Sequence, residues 1–385
     1  MLATELAHRR PEPIAPSRRF DRVTISCVWG NPLDPKTWSG APYRLAMALR
    51  RQGVEVDGFY PHMEGWAKYL FAASHLAGGF GGLANEQIRR GKLAREHHSL
   101  KVAEMAARTG ARNILHIGTF ALPPSDLLRS VRHFIYCDQT WWLSLQHRPD
   151  NRTTERACDQ YEELERQSFD CAEHIFTFGR YVRDDIVGHY GVPASRVSVV
   201  GSGMGAIEPY RGPKSYDEPK LLFVAKHLFV EKGGELLLDA FLKALPFRPD
   251  LKLTVVADPK SARRIPDHPA ITFEAQLPWE QLASRYREAT LLVQPMLNDP
   301  WGQVYLEALA SRTPILGLDR NGLPEITAEG RHGFLVSEPD ADELATAILD
   351  AVSDPERLAR MGETGQRHVL QSYSWDIAAE RIAFV

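Results

Sequence analysis

Short, almost wholly apolar runs alternate along the chain with longer stretches whose apolar positions recur every three or four residues. The first pattern predicts buried strands and the second predicts helices with one buried face. Predicted strands of the first half are Val23–Trp29, Val54–Tyr60, Ile114–Gly118, His133–Cys137, His174–Phe178 and Val197–Val200. Helical periodicity covers Pro42–Gln52, Ala84–Thr109 and Thr154–Cys171. A second strand series follows: Leu221–Val224, Leu253–Val256, Ile271–Phe273, Leu291–Gln294, Pro314–Gly317 and Phe334–Val336. Strands interleaved with helices predict parallel sheets built from βαβ units. Between the two series, Gly201–Pro219 is rich in Gly and Pro and lacks periodicity, which predicts an interdomain connection. The expected organisation is a tail over 1–20, a first domain over 21–205, a second over 206–373, and a final helix over 374–385 that packs back on the first. Two similar open α/β units would then face each other across a cleft.

A length of 385 residues suits about two domains with sizeable cores. The formal charge of −3 gives no global argument for a nucleic-acid partner. The cysteines Cys27, Cys137, Cys158 and Cys171 show no C-x-x-C spacing, which predicts a reduced, cytoplasmic protein without a disulfide frame or zinc site. The arginine- and proline-bearing start of the chain has no apolar core of signal-peptide length. No apolar run approaches the roughly 20 residues of a membrane span. One region bears on peripheral contact with the inner face of a membrane. Phe71–Leu83 reads as a flexible run, and Arg89, Arg90, Lys92, Arg95 and Lys101 follow on one helical stretch. An anionic surface carrying a lipid-linked acceptor would suit residues 71–108. A solvated basic face under a mobile loop is the commoner explanation, and is the one adopted.

The densest chemistry lies where the run Thr290–Gln294 ends at Pro295 and a helical apolar face begins at Val304. In an α/β sheet ligands bind at the carboxyl ends of strands, and a helix N-terminus there presents backbone N–H groups to anions. The loop carries Asp299-Pro300-Trp301-Gly302-Gln303, and Glu307 sits one turn into the helix, where its carboxylate can accept from two sugar hydroxyls. At the start of the second series, Ala225-Lys226 and Glu231-Lys232-Gly233-Gly234 flank a strand-to-helix loop. Either lysine alone reads as a solvated charge. As a pair beside that loop they read as point charges for phosphate, with glycines letting the backbone approach. In Trp38-Ser39-Gly40-Ala41-Pro42, Gly40 is either a close-approach position or a plain turn before a helix. Asp138, after the strand His133–Cys137, is placed to orient an acceptor hydroxyl, against the alternative of a turn cap.

His116 reads as structural, and Glu165 as a solvated helix carboxylate. Gly201-Ser202-Gly203-Met204-Gly205 mimics a dinucleotide loop, yet no helix can start at Ile207-Glu208-Pro209, so it marks the connection, with Gly203 bordering the cleft. Asp340-Ala341-Asp342 reads as a helix cap. The histidines show no ligand spacing, so no metal is expected.

Taken in order, these segments resemble the retaining glycosyltransferases of family 4. That family shows G-R at a strand end, E-K-G, E-P-F-G-x-x-x-x-E and G-G-x-P-E. The matching segments are Ala225-Lys226, Glu231-Lys232-Gly233, Asp299-Pro300-Trp301-Gly302 with Glu307, and Asn321-Gly322-Leu323-Pro324-Glu325. The likeness is dense from about residue 160 onward and extends to Arg360-Met361-Gly362 and Tyr373-Ser374-Trp375. It implies the GT-B fold: two Rossmann-like doubly wound domains across a cleft, with a C-terminal helix crossing back. It also implies a retaining, metal-independent transfer from a nucleotide-diphosphate sugar, itself a substrate and not a cofactor. The acceptor would offer a hydroxyl on a saccharide or lipid-linked glycan, in glycan or glycolipid biosynthesis.

By position, Lys226 and Lys232 would hold the diphosphate, Glu307 the ribose, and Asp299 the donor sugar. Pro300, Trp301, Gly302 and Gln303 would surround that sugar, Gly40 and Gly203 would border the donor, and Leu323-Pro324-Glu325 would line the cleft below the phosphates. Two departures stand out: Asp299 replaces the family's Glu, and Lys226 replaces its Arg, which keeps the charge and loses the two-oxygen fork. Two other readings fit the same resemblance. One is a GT-B epimerase or phosphorylase; the other is a non-catalytic nucleotide-sugar binder.

Overall fold

In the computed structural model, residues 19–77, 85–121, 131–147 and 154–384 are described. Among them the strands form two six-stranded sheets. The first comprises β1 (Arg22–Cys27), β2 (Glu55–Phe59), β3 (Asn113–Ile117), β4 (Arg132–Cys137), β5 (His174–Thr177) and β6 (Val197–Val199). The second comprises β7 (Lys220–Ala225), β8 (Lys252–Ala257), β9 (Ile271–Ala275), β10 (Leu291–Val293), β11 (Ile315–Leu318) and β12 (Gly333–Val336). All neighbouring pairs are parallel, in the orders β2-β1-β3-β4-β5-β6 and β12-β11-β10-β7-β8-β9. Such sheets are covered on both faces, which is why β7 from Leu221 onward and all of β10 are buried.

Helices of the first half are α1 (Ala41–Arg51), α2 (Gly65–Ala77), α3 (Asn85–Arg90), α4 (Lys92–Thr109), α5 (Trp141–Gln146), α6 (Glu155–Cys171) and α7 (Arg180–Gly188). Those of the second are α8 (Gly234–Ala244), α9 (Trp279–Glu288), α10 (Gln303–Ala310), α11 (Leu323–Ile326), α12 (Ala341–Val352), α13 (Pro355–Ser372) and α14 (Trp375–Phe384). Asp340 caps α12 by accepting from the backbone of Asp342 and Glu343, both at 2.9 Å. The last helix crosses back: Asp376 on α14 pairs with Arg51 on α1 at 2.8 Å, and the backbone N–H of Arg19 donates to Ala383 at 2.7 Å.

In each sheet the chain reverses its direction of build, between β1 and β3 in the first and between β7 and β10 in the second. A doubly wound sheet opens a ligand crevice at such a point. The loops after β1, β7 and β10 meet across the cleft. The lobes are tied beside it: the Tyr181 hydroxyl donates to the carbonyls of Asp138 (2.5 Å) and Pro300 (2.8 Å). Glu325 accepts from the Arg180 backbone N–H at 2.6 Å, capping the start of α7 from the opposite lobe.

The region 71–108 departs from its sequence reading. Residues 71–77 are the second half of α2, while 78–84 fall outside the described residues. The single helix expected over Ala84–Thr109 is two, separated at Gly91, whose extended backbone caps α4. Arg90 and Arg95 are buried, so neither is part of a solvated basic face. Arg95 donates to the carbonyls of Arg90 (3.1 Å), Thr119 (2.5 Å) and Leu164 (3.2 Å) and to the Ser168 hydroxyl (3.1 Å), which replace its water. The outward face of α2 exposes Trp66, Tyr69, Leu70 and Leu76. No helix among the described residues is long and apolar enough to cross a membrane.

Candidate functional site

Two cavities occupy the cleft. The larger, about 580 Å³, is walled by Trp38 and Ser39 after β1, by Lys226, His227, Leu228 and Lys232 after β7, and by Asp299 and Trp301 to Val304 at the start of α10. The smaller, about 300 Å³, lies under Trp29 and reaches Arg90, Asp138, Glu165, Glu231 and Pro300. Trp38, Asp138, Leu228, Lys232 and Asp299 belong to both walls, so the two spaces meet at those side chains.

Left-handed backbone conformations gather on these loops. Trp38, Ser39 and Gly40 follow one another at φ of 42°, 57° and 79°, with Leu228 at 60° and Met296 at 39°. For side chains with a Cβ such angles cost about 1–3 kcal/mol each, and they collect where the surrounding structure holds a site in shape. At Gly40 a Cβ would fall 2.9 Å from the Pro35 carbonyl, so glycine is required there by the turn itself.

The charges at the junction are organised by pairing. The Lys232 ammonium lies 2.6 Å from Asp299, with both side chains mostly buried. Burial pushes the Asp299 carboxyl up, but the Lys232 ammonium and the backbone N–H groups of Gly302 and Trp301 outweigh it and leave the group below its ordinary value. Glu307 is buried beneath the larger cavity and accepts from the Tyr286 hydroxyl at 3.0 Å. Burial raises its pKa to about 7, against the lowering effects of Tyr286, Arg44, Lys232 and Lys226. Arg44 belongs to α1, in the other lobe, so cations from both sides converge on this carboxylate. The exposed Lys226 ammonium sits 5.7 Å above the Trp279 ring. Together the pieces form a space with a buried carboxylate at its floor, cations along one wall and a helix N-terminus opening into it.

Residues 211–368 match the family model for glycosyl transferases group 1. Over that span the chain is similar to the glycosyl transferases of group 1, and it has the GT-B fold of its structural neighbours. It is 31% identical over 227 residues to a D-inositol 3-phosphate glycosyltransferase of Streptomyces avermitilis, covering 52% of this chain and 49% of that protein. It is 29% identical to an alpha-maltose-1-phosphate synthase of Mycolicibacterium smegmatis, over 57% of this chain and 64% of that one. The chain thus spans about half to two thirds of these two relatives. A D-inositol 3-phosphate glycosyltransferase of Streptomyces scabiei matches at 26% over 89% of this chain and 84% of its own length. Among solved structures, the sucrose-phosphate synthase of Thermosynechococcus elongatus superimposes with a TM-score of 0.70 at 19% identity, covering 94% of this chain and 97% of that one. The Anabaena protein HepE, solved with UDP and glucose, gives 0.60 at 14% identity, covering 94% of this chain and 98% of that one.

Of the residues singled out from the sequence, Lys226, Lys232, Asp299, Asp138, Trp301, Gly302, Gln303 and Glu307 all line the larger cavity, and Pro300 lines the smaller. Trp301 is buried, with its ring parallel to Tyr181 at 6.5 Å and edge-on to Phe178 at 5.9 Å, so it packs the seam between lobes.

Several other residues singled out from the sequence fall elsewhere. Gly40 lines neither cavity, although Ser39 and Ala41 beside it do. Gly203 is covered by Trp375, whose indole N–H donates to the Met204 carbonyl at 2.8 Å, and it lines neither cavity; Gly205 is the glycine that faces the Glu307 carboxylate. Gly233 and Gly234 make room for Pro295 and the Phe229 ring and not for a ligand. Glu325 ties the lobes and lines neither cavity.

Glu165, read as a solvated carboxylate, is buried in the first lobe. It accepts from the Thr119 hydroxyl (2.8 Å), the Trp141 backbone (2.5 Å) and the Tyr190 hydroxyl (2.6 Å). His116 is fully buried, 3.1 Å from His133, as a structural histidine. Sequence reasoning missed Arg44, Tyr286 and the wall Gln276-Leu277-Pro278-Trp279. The wall follows β9, and the rule that ligands gather at strand carboxyl ends would have found it had it been applied to every strand.

Proposed function

We propose that this chain transfers a sugar from a nucleoside-diphosphate sugar to an acceptor hydroxyl, with the anomeric configuration retained and without a metal ion. The observation that carries this reading is the junction: Lys232, Asp299 and Asp138 stand where a donor-sized space and a smaller one join. The nucleotide would occupy the larger space, its ribose hydroxyls on Glu307 and its diphosphate between Lys226, Lys232 and the N-terminus of α10. HepE, a neighbour in fold, was solved with UDP and glucose, which supports a nucleotide-sugar donor.

In the transfer the bond from the sugar's anomeric carbon to the diphosphate oxygen breaks, and the diphosphate leaves with the electron pair. The acceptor oxygen forms the new bond on the same face, and its proton passes to the departing phosphate oxygen. Lys232 stabilises the charge that accumulates there, and Asp299 holds the ammonium in position. Asp138 orients the acceptor hydroxyl at the junction.

The test is to incubate the full chain with UDP-, GDP- and ADP-linked sugars and a panel of sugar and polyol acceptors. Expected is nucleoside diphosphate release that depends on an acceptor, with proton NMR showing the donor's anomeric configuration in the product. An inverted linkage, conversion of the donor alone, or binding without transfer across the panel would overturn the reading.

A further inference from the structure

The larger cavity changes character along its length. The charged groups that serve the transfer sit where it joins the smaller space. The end built by β8 and by the segment after β9 is apolar, with Val256, Ala257, Leu277, Pro278 and Leu282 on its wall. In the strand order β10-β7-β8-β9 this end lies across β7 from the α10 loop, and Lys226 follows the strand between them. Trp279, the first residue of α9, also lines this end. Its side chain belongs to a residue that is 38% exposed, and among the described residues its one ring partner is the Lys226 ammonium at 5.7 Å. The Gln276 side-chain amide donates to the Lys226 carbonyl at 2.8 Å, which ties the loop bearing the lysine to the loop that leads into the tryptophan.

Resting on the transfer reading above, we propose that Trp279 is the platform on which the donor's nucleobase stacks, and that Lys226 passes from its ring to the diphosphate as the nucleotide binds. A sugar laid against this end would meet apolar walls and an amide already engaged, leaving its hydroxyls unpaired at a desolvation cost. A nucleobase instead presents a π-face on either side, and stacking on an aromatic side chain is open to any base. With the base seated here, one extended ligand runs from the apolar end, past Lys226, to the N-terminus of α10 and the junction beyond. Among the described residues the Lys226 ammonium makes no ion pair. Its contact with the ring is a weak, exposed one, readily exchanged for charge-assisted hydrogen bonds to a diphosphate. The same lysine thus links recognition of the base to recognition of the phosphates.

The experiment is calorimetric titration of the full chain with UDP, GDP, ADP and inorganic pyrophosphate, in the native protein and in Trp279→Leu and Trp279→Phe. Trp279 stands partly exposed at a helix start, and the thermal midpoint of each variant checks that the fold is kept. In Trp279→Leu the tightest-binding nucleotide should be held about ten- to a hundredfold more weakly, and Trp279→Phe, which keeps a π-face, should recover most of that loss. Pyrophosphate affinity should be unchanged or tighter in Trp279→Leu, because Lys226 then has no ring to leave. A native protein that binds none of the three nucleotides would sink the transfer reading and this one together. Nucleotide affinity that survives Trp279→Leu, a phenylalanine variant no better than the leucine one, or a parallel loss of pyrophosphate binding would overturn the stacking assignment alone.

Discussion

Glu307 makes the proposed donor site sensitive to pH in a way that can be calculated. Its carboxyl is buried, touches the Tyr286 hydroxyl and has a pKa of about 7. A ribose that donates two hydroxyl protons requires the ionised form, because a protonated carboxyl gives up part of its accepting capacity. With a pKa of about 7, roughly a tenth of the molecules are ionised at pH 6 and roughly nine tenths at pH 8. Nucleoside-diphosphate affinity should accordingly rise about tenfold across that interval, or ~1.4 kcal/mol.

The stability contribution of the same group runs the other way. Its pKa is raised above the ordinary 4.5, so the native state holds the proton more tightly. The stabilisation is full below about 4.5 and lost as pH rises through about 7. Isothermal titration of UDP, GDP and ADP at pH 6, 7 and 8, in two buffers of different ionisation enthalpy, measures affinity and proton release together. In Glu307→Gln the affinity should be lower at pH 8 and the pH slope should vanish. A flat profile in the native protein, or a slope that survives the substitution, would refute the assignment of Glu307 to the ribose.

Lys232→Ala should lower kcat/KM by about 10²–10³, the ~2.7–4 kcal/mol attached to losing one charge-stabilising donor, read from initial rates at saturating acceptor. It also strands Asp299, so it should unfold more readily by up to ~3 kcal/mol in urea, with part of that recovered when Asp299→Asn is added. Tyr181→Phe leaves the Asp138 and Pro300 carbonyls without their shared donor and should cost about 1–3 kcal/mol in the same denaturation assay. Gly203→Ala forces a methyl against Trp375 and should destabilise by about 1–3 kcal/mol while nucleotide Kd stays at the native value. A changed Kd would return Gly203 to the donor site.

All twelve strands were legible in the sequence: the inner ones because buried parallel strands are continuous apolar runs, and the more exposed edge strands β2 and β9 because they fall in the same alternation with helices. The wall of the larger cavity was legible too: Lys226, Lys232 and Asp299 lie on loops at strand ends and Glu307 in the helix that follows one, places the alternation alone identifies. What sequence could not supply was the environment of a charge. Arg95 finds its acceptors at Thr119 and Leu164, and Glu165 finds Thr119, Trp141 and Tyr190, all far along the chain. A helical charge with few local partners reads as solvated until tertiary structure shows what surrounds it. The glycines failed for a related reason. Gly203, Gly233 and Gly234 are small because Trp375, Pro295 and Phe229 need the room, and a motif records only the smallness. Short α5 was missed because a six-residue helix carries too little periodicity to register.

One hydroxyl sits astride the seam of this molecule. Tyr181 is held by carbonyl oxygens next to the two acidic side chains that meet at the centre of the cleft, one from each half. The halves therefore cannot part without that phenol surrendering one of its attachments, and a breathing motion too small to alter the outline of the protein would still be written in its chemical environment. A fluorinated tyrosine at this single position would act as a built-in gauge of opening and shutting, legible by fluorine resonance while turnover proceeds.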